Sequence, residues 1–487
     1  MKKFVKQYPI LIVIITLAFV LRLYKISSPI LDWHSFRQAD TASVTREFIK
    51  DDFNPLIPKY HDLSDIQSGV DNPDGYRMVE FPFYNIIVAL ILKSIPSLPL
   101  VTTSRVVSSL FSIGTLISIF FLTKNYYGKK VGYMASFFFA VLPYSVYYSR
   151  VIMPEPMMLF TSTFSILAFS NYIKTKSAKW YWFALLSLMM ALLLKPFVAF
   201  LLPVYLVIIL QEKKFKEAIF DFRLYVFAIL AVIPFFLWRD WISNFPAGIP
   251  ASNWLFNGEI QIENSKPRFR PFWFRWLFWE RITKLILGYA GVILLPISFF
   301  QQLKNMKLLI PSWWLSVLIY FSVVATGNVR HDYYQVLIIP IICITLGSGI
   351  LILDKYLYKK FNALISIATI ITMISVMIYF SYDQINGYYN INHPEYILAG
   401  VAADKLLPED AKVIAPQYSD TSFLFQTNRK GWPLGYDIDE KIDMGATNYV
   451  TTTMDEEAKT LEEKYMIIEK TQDYLILDLT QERGASN

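Results

Sequence analysis

The sequence predicts a polytopic α-helical membrane protein, with about eleven transmembrane helices plus interfacial helices and a small C-terminal α/β soluble domain. Three observations carry that expectation. Of the 487 residues, 54% are hydrophobic and only 17% are charged, where soluble domains carry about 25% charged residues. The mean hydropathy is +0.38. The basic residues stand in short clusters between long apolar runs, the pattern that orients membrane helices and not the continuous basic face that grips nucleic acid. A nucleic-acid partner is set aside on that ground despite the net charge of +7.

In chain order, Lys2, Lys3 and Lys6 precede an apolar run ending near Leu23, with no small-residue cleavage site after it. This reads as an uncleaved signal anchor. Apolar spans follow near 8–24, 103–122, 131–148, 157–173, 180–194, 197–211, 223–238, 284–300, 308–326, 333–353 and 362–381. Between them lie the clusters Lys124/Lys129/Lys130, Lys174/Lys176/Lys179, Lys213/Lys214/Lys216, Lys304/Lys307 and Lys355/Lys359/Lys360. If the apolar stretch 81–95 crossed fully, all five clusters would lie opposite the N-terminal lysines, against the positive-inside rule. It is therefore expected to be interfacial or re-entrant. The N-terminus is then cytoplasmic, in a multi-pass protein of the cytoplasmic (inner) membrane.

Two domains are expected: a transmembrane region 1–382, with a first outer loop 25–102 and a long outer loop 239–283, and an extracytoplasmic α/β domain 383–487. In the latter, 411–417, 449–453 and 474–479 read as strands and 456–465 as a helix. No internal repeat is visible. Cys343 is the only cysteine, so no intrachain disulfide can form.

This topology gathers the polar residues near span ends on the outer face. Asp32, His34, Arg37, Gln38, Asp40, Arg46 and Glu47 fall within sixteen residues, and no Gly or Pro interrupts the chain from Ser35 to Pro55. The stretch predicts a helix with Arg37, Asp40 and Thr41 on one face and Phe36, Val44 and Phe48 on another. Such a helix would lie along the membrane surface with a carboxylate-bearing polar side; the plainer alternative is a surface helix whose charges are merely solvated. Asp32, Asp40, Glu80 and Glu155 all lie at the outer surface beside aromatic or Pro residues. A partly desolvated carboxylate suits a general base. Singly, each fits a solvated loop acid as well; four from two loops weigh more.

Lys195 separates the apolar runs 185–194 and 197–210. It reads either as a snorkelling lysine at a turn or as a point charge for a phosphate, which Arg150, Arg330 and His331 could join. Cations on the outer face ask for an anionic partner, and a lipid phosphate is the obvious one. A metal site is conceivable from Asp32, His34, Asp40 and Glu155, but the Asp-x-His spacing is weak and no two-His helix pair appears. Neither a Gly-rich phosphate loop nor a G-x-S-x-G is present.

Taken together, His34-Ser-Phe-Arg-Gln-Ala-Asp-Thr41, Glu80-Phe-Pro-Phe-Tyr84, Arg150 with Met-Pro-Glu155, and Gly327-Asn-Val-Arg-His-Asp-Tyr-Tyr-Gln335 resemble bacterial family 39 glycosyltransferases. These are relatives of protein O-mannosyltransferases and aminoarabinose transferases in the GT-C superfamily. Asn428-Arg-Lys-Gly-Trp432 and Gly445-Ala-Thr-Asn-Tyr449 look like that group's C-terminal domain. The resemblance implies a GT-C-like fold, a polyprenyl-phosphate donor and transfer of a hexosyl or pentosyl group outside the cytoplasm. The acceptor would be a lipid, a glycan or a protein, with no cofactor required. It also implies a first-loop carboxylate as base. Relatives carry an acidic pair where Arg37-Gln38 stands here, so the base is expected one turn on at Asp40, with Asp32 as fallback. Glu155 takes the place of the second-loop acid. His34, Glu80 and Glu155 would orient the acceptor or tune Asp40, and Arg37, Gln38, Arg150, Lys195, Arg330, His331 and Tyr334 would bind substrate. The rival from another class is a transporter or lipid flippase. It fits less well, because the span interiors are nearly free of charge and no inverted repeat appears. A non-catalytic scaffold leaves the one-sided polar cluster unexplained.

Overall fold

The computed structural model describes residues 6–50, 53–260 and 265–483; Lys2 and Lys3 of the N-terminal basic group lie outside them. The chain divides into two compact units: Met1–Ile26, Arg105–Trp238 and Ser252–Gly387 form a helical unit, and Ser27–Ser104, Arg239–Ala251 and Tyr388–Asn487 form a mixed unit. The contiguous division at 382/383 expected from composition is not the one observed. The segment expected as the first outer loop folds with the C-terminal segment, through hydrogen bonds that composition does not reveal.

Each of the eleven apolar runs falls on helix, in a polytopic membrane architecture. By length and composition alone, four helices are long and apolar enough to cross a membrane: Leu100–Tyr127, Phe222–Ile242, Asp332–Lys360 and Ala363–Tyr389. A fifth arises if Pro271–Ile286 and Ala290–Lys304, bent by 114°, count as one span. The other runs lie on shorter or broken helices, except 157–173, which lies on the 21-residue, Ser- and Thr-bearing helix Glu155–Thr175. Pro143 restarts the helix after Lys129–Val141, since proline cannot donate in a helix interior but fits a first turn. Pro196 follows Lys195 in the same way and opens a 3-10 turn that leads into Leu202–Glu212.

Within the helical unit, the first helix, Pro9–Arg22, ends on a fully buried arginine. Its guanidinium donates to Ala18 O (2.9 Å), Phe139 O (3.1 Å), Ala140 O (3.3 Å) and Ser149 Oγ (3.1 Å). A buried charge is tolerated only with such partners, and these pin the helix to Lys129–Val141 and the turn after it. On the other side of Lys129–Val141, Gly347 lets Ile339–Lys360 approach closely, because a Cβ there would meet Ala135 N at 2.6 Å. Small residues at membrane helix contacts serve this purpose.

The mixed unit is built on a five-stranded sheet of order β2-β1-β3-β5-β4, from β1 (Lys412–Ile414), β2 (Lys430–Trp432), β3 (Asn448–Thr451), β4 (Tyr465–Lys470) and β5 (Leu475–Glu482). Strands β1, β2 and β3 run parallel, while β5 pairs antiparallel with β3 and β4. The predicted strands and helix 456–465 are present; β2 and β4 were not expected. First-loop residues enter both cores of this sheet. Leu31 packs with Tyr396, Ala399, Val413 and Phe423, and Leu63 packs with Ile414, Trp432 and Tyr449. The loop also extends the sheet at its β2 edge. Asp62 pairs with Gly431, Gly431 N donates to His61 O at 2.9 Å, and Leu63 N donates to Gly431 O at 2.8 Å. The stretch 81–95 is the helix Phe83–Ser94, whose 12 residues reach about 18 Å at 1.5 Å per residue, short of a ~30 Å hydrocarbon core. It packs beside Ser35–Lys50, where Asn85 Nδ2 donates to Thr41 O (2.6 Å) and Thr45 Oγ1 (3.0 Å).

Gly431 marks where backbone crowds backbone, since a Cβ there would meet Val413 O at 1.7 Å. Gly431→Ala is expected to destabilise the mixed unit by roughly 3 kcal/mol, read as a lower Tm and faster proteolysis within 388–483. Unchanged stability would show that this edge yields.

Candidate active site

The first cluster lies in the mixed unit. Ser35–Lys50 forms the predicted helix, but every residue from Arg37 to Phe48 is buried. The expected surface helix with one solvated polar face is thus corrected. From Arg37 to Glu47 its charges are enclosed, and each is met by a partner. Arg37 Nη2 lies 2.6 Å from Glu80 Oε1. Asp40 is 1% exposed, and its Oδ2 lies 2.9 Å from Arg77 Nη2. Gln67 Nε2 donates to the same oxygen at 3.4 Å, and Thr421 Oγ1 donates to Oδ1 at 2.7 Å. Arg77 is itself held, by Gln67 Oε1 at 2.7 Å and by the face of Tyr60, 4.9 Å from the ring centroid. Asp40 therefore pairs with Arg77, while Arg37 takes Glu80. Arg37, Asp40, Arg77, Glu80 and Asn85 line a cleft of about 10 Å³, room for about one water.

Asp32 is buried and accepts from Gln38 Nε2 at 2.8 Å; the same amide nitrogen reaches Trp33 O at 3.1 Å. Gln38 thus steadies the approach to the helix. His34 is half-buried at φ +56°, against the rings of Trp33 and Phe36. Below Asp40, Tyr60 OH donates to Asp62 Oδ2 at 3.3 Å and Ser64 N donates to Oδ1 at 2.9 Å. Burial, aided by the nearby Asp40 charge, raises the Asp62 carboxyl to about 7 against the Ser64 hydrogen bonds and Arg77. Burial lowers the His61 imidazole to about 3, so His61 stays neutral and its Nε2 donates to Thr421 O at 3.0 Å.

The second cluster lies in the helical unit. Lys195 caps Ala178–Leu194 in extended conformation, and its Nζ lies 3.2 Å from Glu155 Oε1. Glu155 occupies the first turn of Glu155–Thr175, where a carboxylate complements the helix dipole. Phe197, Tyr320, Tyr333 and Tyr334 wall the pair in. His331 stacks on Tyr333 at 5.3 Å, and Tyr333 on Tyr334 at 4.7 Å. Arg150 is 1% exposed, donates to Lys25 O at 2.9 Å and lies over the ring of Tyr147. Arg330 is exposed, lies over Trp254 at 5.2 Å and donates to Glu259 O at 3.3 Å. Of the expected phosphate cations, Lys195 and His331 therefore share one aromatic surround.

Sequence reasoning missed Arg77, Gln67, Thr421 and Asp332. Arg77 stands three positions before Glu80, and a lone basic residue beside that motif was the available signal. Thr421 gave none. Asp332 lay inside a quoted motif; its Oδ1 accepts from Tyr148 OH at 2.7 Å, and its Oδ2 lies 4.0 Å from Arg281 Nη1. Among the described residues no three His, Cys, Asp or Glu side chains converge as metal ligands.

Comparison with known proteins fits this architecture. Residues 83–238 match the family described as dolichyl-phosphate-mannose-protein mannosyltransferase. No curated protein matches the sequence significantly. Among solved structures, ArnT from Cupriavidus metallidurans bound to undecaprenyl phosphate is 11% identical, with a TM-score of 0.65 over 96% of this chain and 98% of that one. ArnT in the apo state gives 0.64 at 10% identity, over 96% and 97% of the two chains. The Archaeoglobus fulgidus oligosaccharyltransferase with zinc and sulfate gives 0.57 at 11% identity, over 91% of this chain and 68% of that one. At such identities the likeness shows the fold, which is that of the GT-C membrane transferases, in agreement with the resemblance carried by the motifs. The family match covers about a third of the chain, and the fold likeness extends over nearly all of it.

The raised Asp62 carboxyl makes stability depend on pH. Its folded value, about 7, exceeds the ordinary 3.8, so the folded state holds the proton more tightly. The contribution is full below about 3.8 and is lost as pH rises through about 7. Asp62→Asn should flatten the fall in Tm over that window; an unchanged profile would mean another group titrates there.

Proposed function

We propose that the chain transfers a sugar from a polyprenyl-phosphate donor to an acceptor hydroxyl on the outer face of the cytoplasmic membrane, with inversion at the anomeric carbon. The observation that carries this reading is Lys195. It is a cation at the break between two apolar helices, held against Glu155 in a wall of tyrosines. A single ammonium so placed suits a phosphate at a membrane surface, and an ArnT of the same fold has been solved bound to undecaprenyl phosphate. As the sugar–oxygen bond breaks, negative charge gathers on the leaving phosphate, and a fixed cation stabilises it more than the ground state. Lys195 takes this role, with His331, stacked on Tyr333, and the exposed Arg330 over Trp254 as helpers. Arg150 serves as framework, because its guanidinium already holds Lys25 O.

Asp40 takes the acceptor proton. Its oxygens offer about four lone-pair sites, and Thr421, Arg77 and Gln67 use three. The remaining site suits an acceptor hydroxyl, and a base already oriented loses nothing to reorganisation. Glu80 and Arg37 flank the same cleft and orient the acceptor. These steps call for no cofactor. The 12-residue length of Phe83–Ser94 supports the topology in which the lysine clusters share the cytoplasmic side.

Three outcomes are expected. Mass spectrometry of lipid-linked and envelope glycans should show one glycoform missing without this protein; identical profiles would sink the reading. Lys195→Ala should weaken donor use far more than stability, and Lys195→Arg should restore it in part. Normal donor affinity in Lys195→Ala would remove the residue from the phosphate site. A reporter fused after Lys130 should be cytoplasmic, and an extracytoplasmic signal would reverse the topology.

A further inference from the structure

The helical unit carries a feature the transfer reaction does not use. An apolar groove of about 620 Å³ is lined by side chains of four helices and the short turns between them, among them Leu192, Val198, Leu206, Phe215, Leu224 and Ala228. One wall is Phe222–Ile242, whose apolar window is only 17% buried, so the groove opens where lipid would lie. Along that wall it runs from Leu224 to Val232, and along another from Val198 to Leu210, about 12 Å and about 18 Å at 1.5 Å per residue. Half of a ~30 Å hydrocarbon core is about 15 Å, so the groove is close to one leaflet deep.

Its shallow end is ringed by charge. Lys174 pairs with Glu212 at 3.8 Å, and Lys213 pairs with Asp221. Lys214 and Lys216 flank the groove residue Phe215, and Arg223 adjoins Leu224. These three cations are exposed and make no ion pair among the described residues. Phe215, Phe220 and Phe222 project beside them, 68%, 84% and 68% exposed. Exposed rings and unpaired cations at one level are what a headgroup layer accepts.

We propose that this groove is a binding site for one anionic glycerophospholipid, with its acyl chains along Leu206 and Ala228 and its phosphate held by Lys214, Lys216 and Arg223. The depth argues against the donor's prenyl tail, which is far longer than one leaflet. The charge argues against zwitterionic lipid, since each cation near an anionic surface contributes about 1 kcal/mol. The site is independent of the catalytic reading and stands whichever residue is the base.

The test uses the full chain purified in detergent and mixed with equal amounts of phosphatidylglycerol and phosphatidylcholine of the same acyl chains, with bound lipid read by native mass spectrometry. Wild type should retain phosphatidylglycerol in preference by about tenfold or more. The triple variant Lys214→Glu/Lys216→Glu/Arg223→Glu should lose the preference. Ala228→Trp and Ala199→Trp, placed in opposite walls at exposed alanines, should each lose the bound lipid with unchanged helicity and elution. Two substitutions are used so that misfolding of one leaves the other decisive. Equal retention of both lipids, or phosphatidylglycerol still bound in the Trp variants, would overturn the proposal. Displacement of phosphatidylglycerol by equimolar undecaprenyl phosphate would overturn it in favour of the donor tail.

Discussion

A carboxylate buried to 1% exposure survives only with a counter-charge and hydrogen-bond donors beside it, and in the mixed unit the arrangement around Asp40 follows from that demand. Arg77 supplies the counter-charge, Thr421 a short hydrogen bond and Gln67 a second contact that also holds Arg77. Removing one partner of such a buried pair costs roughly 3–5 kcal/mol, because the other is left uncompensated. The cluster therefore fixes three distant stretches at once: the helix Ser35–Lys50, the loop that carries Gln67 and Arg77, and the start of Thr421–Gln426. Arg46 strengthens the same union, donating to Phe425 O at 3.0 Å. The first loop is thus a structural part of the α/β unit.

The helical unit meets the same constraint in other ways. Its charges sit where helices stop: Arg22 at the end of the first helix, Glu155 in a first turn, Lys195 at a cap before a proline. Arg22 is met by three carbonyls, one hydroxyl and the ring of Phe139. Lys195 and Glu155 instead face one another among aromatic rings, a pairing that an incoming anion can replace. That difference separates a framework cation from a candidate ligand cation, and Arg150 falls on the framework side.

Local signals in the sequence revealed much of this, and pairings across the chain were hidden. The eleven apolar runs, the helix at Asp40, the helix 456–465 and three strands all rest on periodicity within one segment. What failed depended on distant partners. The helix Ser35–Lys50 reads as amphipathic because its charges occupy one side, but Glu80, Arg77 and Thr421 cover that side, up to 381 positions away. The domain boundary near 383 follows a real change in composition, whereas the compact unit is set by contacts such as Leu63 N to Gly431 O. β4 escaped notice because Tyr465–Lys470 continues the charged pattern of the helix before it. β2 is three residues long with a central glycine.

The measurement that bears most directly on the central claim compares Asp40→Asn with Asp32→Asn, each normalised to its folded fraction, following sugar transfer from a polyprenyl-phosphate donor and donor binding together. Asn keeps the shape and the Thr421 hydrogen bond but cannot take a proton. Turnover in Asp40→Asn should fall by roughly 10²–10⁴ with donor affinity retained, while Asp32→Asn, whose partner is Gln38, should lose much less. Equal, mild losses in both variants would contradict the account, as would a larger, chelator-sensitive loss in Asp32→Asn.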